Sequence, residues 1–86
     1  MPTISAFYGI LIRMFFNDHA PPHFHARYAE FEATIDIDSL SVINGELPRR
    51  ALDLALEWAK IHRAELIENW RLCRENRPPE KIEPLV

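Results

Sequence analysis

Residues 23–37 determine the architecture of this chain, and they read His23-Phe24-His25-Ala26-Arg27-Tyr28-Ala29-Glu30-Phe31-Glu32-Ala33-Thr34-Ile35-Asp36-Ile37. Apolar and polar side chains alternate on both sides of Ala29-Glu30, which predicts two antiparallel strands joined by a two-residue turn. That turn places Phe24 opposite Ile35, so the apolar side chains of both strands share one face. The histidines then share the other face with the charged residues.

The segments upstream of this hairpin also have strand character. Residues 4–7 and 10–16 are rich in β-branched and aromatic side chains, which predicts two strands joined at Tyr8-Gly9. Residues 17–22 are polar and end in two prolines, so they predict a stiff loop. Downstream, residues 40–43 predict a short fifth strand, ended by the turn signal Asn44-Gly45.

Residues 48–76 have helical periodicity instead. Their apolar stripe consists of Leu52, Ala55, Leu56, Ala59, Leu66, Trp70 and Cys73. One continuous helix would measure about 43 Å, which exceeds the width of a domain this small. We therefore expect a bend or break near residues 61–63, or an end that protrudes to meet another subunit. Residues 77–86 contain three prolines, which predicts an extended tail that docks Ile82 and Leu85.

These patterns together predict an α+β fold in a single domain of residues 1–86. Residues 1–47 form an antiparallel sheet of four to five strands. Residues 48–76 form one long or broken helix that packs on one face of the sheet, and residues 77–86 form the extended tail.

Composition excludes several classes of protein. The formal net charge of the 86 residues is -3, which argues against nonspecific wrapping of nucleic acid. The uncharged apolar stretches are far shorter than the ~20 residues that cross a bilayer. Cys73 is the single cysteine, and the first residues do not resemble an export signal, so we expect a cytoplasmic protein without a disulfide.

Three of the four histidines lie within residues 17–25. On a strand, His23 and His25 share a face with α-carbons about 6.6 Å apart, close enough for both rings to reach one ion. Asp18 and His19 precede them, and Asp36 is predicted opposite His23. The pattern therefore predicts a metal site for Zn²⁺ or Fe²⁺ among these five residues. The sequence favours equally a protein that binds no metal here.

The same face allows two other interpretations. In a catalytic one, His23 and His25 act as general acid and base and Arg27 or Arg13 neutralises a phosphate, which is the minimum set for a small ribonuclease. In a structural one, the histidines pair with Glu32 and Asp36 and only keep this side of the sheet hydrated. The sequence favours a protein that is not an enzyme without deciding the matter.

A partner surface is predicted from the side chains that the helix does not cover. Leu11 and Phe15 share strand parity with Arg13, so an apolar patch would remain exposed there. Trp58 and Trp70 lie twelve residues apart, and an exposed tryptophan is a common hot spot of protein contacts. We expect Arg13, Phe15 and Trp58 to contact a small protein partner or a second copy of the chain.

Several segments carry a family resemblance that spans essentially the whole chain. They are Pro2-Thr3-Ile4-Ser5, Phe7-Tyr8-Gly9-Ile10, Asn17-Asp18-His19-Ala20-Pro21-Pro22-His23-Phe24-His25, Leu47-Pro48-Arg49-Arg50, Glu68-Asn69-Trp70 and Lys81-Ile82-Glu83-Pro84-Leu85. With them the chain resembles the small bacterial family called domain of unknown function 4160. The resemblance implies an uncharacterised module that works beside a second short protein in a toxin–antitoxin-like gene pair. We predict a binding module with a histidine-rich ligand surface.

Overall fold

The computed structural model describes residues 2–86, so residue 1 of the predicted sheet region lies outside the described part. The strands are β1 (Thr3–Phe7), β2 (Ile10–Arg13), β3 (His23–Tyr28), β4 (Phe31–Asp36) and β5 (Val42–Glu46). The helices are α1 (Arg49–Ile61) and α2 (Arg63–Arg74). Each strand pairs antiparallel with the next one in the chain, and the helices follow the sheet. The predicted α+β class is confirmed.

The β3–β4 hairpin has the predicted register. Phe24 pairs with Ile35 and His23 pairs with Asp36, around a turn at Ala29-Glu30. Phe24 and Ile35 are fully buried. Because alternation fixes which face is buried, the polar residues of both strands lie on the opposite face of the sheet.

The end of the sheet differs from the prediction. The fifth strand covers Val42–Glu46, and Asn44-Gly45 lies inside it instead of ending it. Gly45 has a φ of +76°, and a Cβ at this position would collide with the carbonyl oxygen of Glu32. The register between β4 and β5 also shifts within the pair. The register skips Ile43, so the β-bulge lies there, and Gly45 two residues later lets β5 approach β4 closely.

The helical region is broken at His62, inside the predicted interval, so a single continuous helix does not form. One side of each helix is buried. The buried residues are Ala51, Ala55, Trp58 and Ala59 in α1 and Leu66, Asn69, Trp70, Leu72 and Cys73 in α2. Within residues 2–86, neither helix combines the length and apolar character needed to cross a bilayer.

Trp58 lies in the core, which makes the prediction of an exposed contact residue at this position wrong. Its ring packs 5.4 Å from Phe7 and 6.0 Å from Phe24, between ring centroids. The physical reason is the set of alanines around it on α1. Their small side chains bring the helix close to the sheet and leave a space that the indole fills. Trp70 is also buried.

The tail is extended and docks on the sheet, as expected for Ile82. Its backbone N–H donates a hydrogen bond of 2.8 Å to the carbonyl oxygen of Ile4, and its side chain is 4% exposed. The indole N–H of Trp58 donates to the carbonyl oxygen of Glu83 at 2.8 Å. Leu85 is half-buried against the core. The tail thereby covers the outer edge of β1.

Candidate metal centre

The loop between β2 and β3 places Asp18 over the start of β3. At one end of the loop, the backbone N–H of Asn17 donates to the carbonyl oxygen of Cys73 at the end of α2, at 3.2 Å. At the other end, the carbonyl oxygen of Pro22 accepts from the backbone N–H of Ile37 at 3.0 Å. With both ends held, the loop keeps Asp18 in a defined position.

Asp18, His23 and His25 converge on one point. His23 and His25 are the first and third residues of β3, so both rings leave the same face of the strand. The Oδ2 atom of Asp18 lies 2.8 Å from Nε2 of His23 and 3.4 Å from Nε2 of His25. One ligand atom from each residue lies within 4.8 Å of the other two. We call these three residues the His-Asp cluster.

The two other residues of the predicted metal set lie outside this cluster. The side chain of His19 is exposed, and this residue contributes only its backbone N–H, which donates to Oδ1 of Asp18 at 2.9 Å. Asp36 sits opposite His23 in the register as predicted, but its carboxylate accepts from the backbone N–H groups of Asp38 and Ser39. The carboxylate that holds His23 is therefore Asp18 and not Asp36.

The second nitrogen of each ring also has a partner. Nδ1–H of His23 donates to the carbonyl oxygen of Pro21 at 2.7 Å. Nδ1 of His25 lies 3.3 Å from Oγ1 of Thr34 and 3.9 Å from Oε2 of Glu32. Metal-binding histidines usually have their free ring nitrogen held in this way. The sequence placed Thr34 opposite His25 without assigning it a role, and it gave no sign of the Pro21 contact.

Both ring nitrogens of His23 face oxygen acceptors, the Pro21 carbonyl at Nδ1 and the Asp18 carboxylate at Nε2. A divalent cation can take the position between Nε2 and Asp18. Partial burial opposes ionisation of Asp18, but hydrogen bonds from the His19 backbone and from the His23 and His25 rings outweigh it and lower the pKa of Asp18.

Aromatic side chains flank the His-Asp cluster on two sides. The ring centroid of Phe15 lies 4.2 Å from that of His25, and the ring centroid of Trp70 lies 5.0 Å from that of His23. The side chains of His23, His25 and Asp18 are 9%, 14% and 22% exposed. The ligand atoms are thus held in a partly desolvated site that still reaches the surface, where charges interact more strongly than in bulk water.

The predicted catalytic set is not assembled around one point. Arg27 is exposed, and its Nε–H donates to the carbonyl oxygen of Ala29 in the turn at 3.2 Å. Its guanidinium is directed along the hairpin and away from the position between His23 and Asp18. Arg13, the other cation predicted for this role, is the register partner of His25 and lies on the same face.

Comparison with known protein families gives a match. The model of the family described as Domain of unknown function (DUF4160) matches residues 9–71. The match covers the whole His-Asp cluster, the hairpin that carries it and most of both helices. No curated protein and no solved structure matches the chain significantly.

Proposed function

Because the chain belongs to the family described as Domain of unknown function (DUF4160), whose description names no activity, we propose its function from the site itself. The protein binds one divalent transition-metal ion through Asp18, His23 and His25. The observation that supports this proposal is the convergence of three ligand atoms within 4.8 Å of one another. The occupied Nδ1 atoms of both rings add to it, because they direct both Nε2 atoms to the same carboxylate oxygen.

The ligand chemistry narrows the choice of ion. Two imidazoles and one carboxylate suit Zn²⁺ and Fe²⁺ and are a poor set for Ca²⁺ or Mg²⁺. Ligand atoms around a tetrahedral Zn²⁺ ion lie about 3.3 Å apart. The separations of 2.8 Å and 3.4 Å between Oδ2 of Asp18 and the two Nε2 atoms are near this value. Three protein ligands also leave a coordination position open, as in sites that exchange a bound molecule.

Metal content tests this proposal directly. Protein purified without a histidine tag is dialysed to equilibrium against Zn²⁺, and its bound metal is measured by elemental analysis. We expect about one ion per chain for the wild type and a loss of binding for His25→Ala, since few proteins hold Zn²⁺ with two ligands. His19→Ala is the matched control, because this exposed histidine lies in the same loop but outside the cluster. Equal losses in both variants, or an empty wild type, would contradict the proposal.

We also propose that the protein binds a partner at its open sheet edge. The two edges of the sheet differ, because the tail covers β1 while all five residues of β5 are exposed. Val42 and Ile43 are 38% and 49% exposed there. An edge strand with free backbone groups and exposed apolar side chains is a template for strand addition.

The charges at this edge indicate which partner fits. Glu46 of β5 lies directly opposite Glu32 of β4, and like charges in such a pair repel. Glu46 forms no ion pair within residues 2–86. We therefore propose that the partner is an extended protein segment with lysine or arginine at alternate positions.

The membership of this protein in a toxin–antitoxin-like pair and its cytoplasmic location remain predictions.

A synthetic peptide of alternating lysine and valine is the probe for this edge. We expect it to bind the wild type, measured by fluorescence polarisation, and to bind Glu46→Lys more weakly. Glu57→Lys makes the same charge change on an exposed face of α1 and should bind like the wild type. A peptide with glutamate in place of lysine should not bind. Equal binding of both peptides would overturn the proposal, as would a stable dimer of the chain through β5.

A further inference from the structure

Arg13 is a half-buried cation beside the His-Asp cluster. It is the last residue of β2, and its register partner on β3 is His25. Paired residues of antiparallel strands share a face, with Cβ atoms about 4.5–5.5 Å apart. Within residues 2–86, the guanidinium of Arg13 has neither a hydrogen-bond acceptor nor a carboxylate partner.

The other arginine of this face is placed differently. Arg27 is exposed and donates to the carbonyl oxygen of Ala29 at the turn. Its register partners are Leu11 and Glu32, so it lies one cross-strand pair further from the cluster than Arg13. Arg13 is therefore the cation that borders the cluster without a partner of its own.

The charge balance of the loaded site calls for an anion. A divalent ion held by one carboxylate and two neutral imidazoles leaves one positive charge, and the Arg13 guanidinium adds a second. The exposed carboxylate of Glu32, 3.9 Å from Nδ1 of His25, offsets part of this charge and leaves the site positive. The ion and the guanidinium lie in a partly desolvated region where Coulomb attraction is strengthened. A planar guanidinium matches a carboxylate or phosphate with two parallel hydrogen bonds.

We propose that the metal-loaded site binds a small oxyanion, a carboxylate or a phosphate, that ligates the open metal position and pairs with Arg13. This inference rests on the proposed metal-binding function. Phe15 packs against the ring of His25, which limits the space on that side and favours a small ligand. Arg13 then determines which anions the site accepts, while Asp18, His23 and His25 hold the ion.

The test uses Co²⁺-loaded, tag-free protein, because the visible spectrum of Co²⁺ reports changes in its ligands. The protein is titrated separately with inorganic phosphate, with acetate and with acetamide as a neutral control. We expect a spectral change with an oxyanion and none with acetamide. Comparison of the phosphate and acetate titrations identifies the preferred class.

The variants separate this inference from the metal proposal. Arg13→Gln should bind Co²⁺ like the wild type but bind the oxyanion about 10- to 100-fold more weakly, the usual effect of losing charged hydrogen bonds. Arg13→Lys keeps the charge without the planar guanidinium, so it should bind the oxyanion with intermediate affinity. It replaces Arg13→Gln in the test if that variant does not fold. Arg27→Gln is the matched control and should bind both Co²⁺ and the oxyanion like the wild type.

The outcomes can be told apart. If Co²⁺ binds but neither oxyanion alters its spectrum, or Arg13→Gln binds the oxyanion as tightly as the wild type, the inference is overturned and the metal proposal stands. If the wild type binds no metal, the metal proposal fails and the inference fails with it. Oxyanion binding of equal strength in metal-free protein also overturns the inference.

Discussion

Nε2 of His23 lies 2.8 Å from Oδ2 of Asp18, which ties the β2–β3 loop to the first residue of β3. The same ring donates through Nδ1 to the carbonyl oxygen of Pro21, so one imidazole connects two points of the loop. This arrangement makes the loop a structural element even without a metal ion.

Removing the charge of Asp18 tests the importance of this contact in the metal-free protein. Asp18→Asn keeps the shape of the side chain but leaves two rings without their charged acceptor. Because the carboxylate is partly exposed, we expect a loss of about 1–2 kcal/mol in the free energy of unfolding, measured with urea near neutral pH. Asp38→Asn, in the exposed turn after β4, is the control and should change stability little.

The pH dependence of that difference follows from the lowered pKa of Asp18. An acid whose pKa is lowered by folding contributes stability above its unfolded pKa of about 3.9 and loses it as the pH falls through the folded value. The gap in stability between wild type and Asp18→Asn should therefore narrow below about pH 4. A gap that stays constant down to pH 2 would contradict this assignment.

Metal affinity should depend on pH, because protons compete with the ion for the ligand atoms of Asp18, His23 and His25. Calorimetric titration with Zn²⁺ at neutral and at acidic pH should show weaker binding as the pH is lowered. Binding of equal strength across this range would contradict ligation by these three side chains.

Substitution of the two glycines should lower the free energy of unfolding by different amounts. Both have positive φ, +76° at Gly45 and +80° at Gly9. A Cβ at Gly45 would collide with backbone, whereas one at Gly9 would lie 3.3 Å from the ring of Tyr28, which can shift. We expect Gly45→Ala to lower the free energy of unfolding by more than about 2 kcal/mol and Gly9→Ala by about 1 kcal/mol. Equal losses in urea denaturation would argue against the β5 geometry.

The hairpin and the site could be predicted from the sequence to different degrees. The β3–β4 register could be predicted from the alternation of apolar and polar residues. A register shift of one residue would have mismatched the cross-strand pairs on both faces of the hairpin. The identity of the carboxylate that holds His23 did not follow, since strand register reports Asp36 as a neighbour but says nothing about how a loop folds back. Asp18 approaches His23 from a loop whose residues Asn17 and Pro22 are anchored to other elements.

The structure of the helical region could also be predicted only in part. Its break at His62 could be expected from length alone, whereas the burial of Trp58 could not. Helical periodicity identified the apolar stripe, but the space for a large ring depends on the small residues around it, Ala51, Ala55 and Ala59. The bulge at Ile43 could not be predicted, because the Asn44-Gly45 pair that follows it is a typical signal of a turn.

The tail should depend on one buried amide. Nδ2–H of Asn69 donates to the carbonyl oxygen of Glu80, and Oδ1 of Asn69 accepts from the backbone N–H of Glu80, both at 2.8 Å. Asn69→Ala removes both bonds and should cost about 1–3 kcal/mol of stability. Hydrogen exchange at the backbone N–H of Ile82 should accelerate as the tail loosens. Glu68→Ala, on the exposed side of α2, is the control, and unchanged protection of Ile82 in Asn69→Ala would contradict this role.

The most direct test of the metal site is crystallographic. Crystals of tag-free protein grown with Zn²⁺ and measured at the zinc absorption edge locate the ion without any assumption about its ligands. We expect one strong anomalous peak at about 2.0–2.2 Å from Nε2 of His23, Nε2 of His25 and a carboxylate oxygen of Asp18. A map without a peak at this position, or with zinc bound only by His19 or His62, would contradict the account.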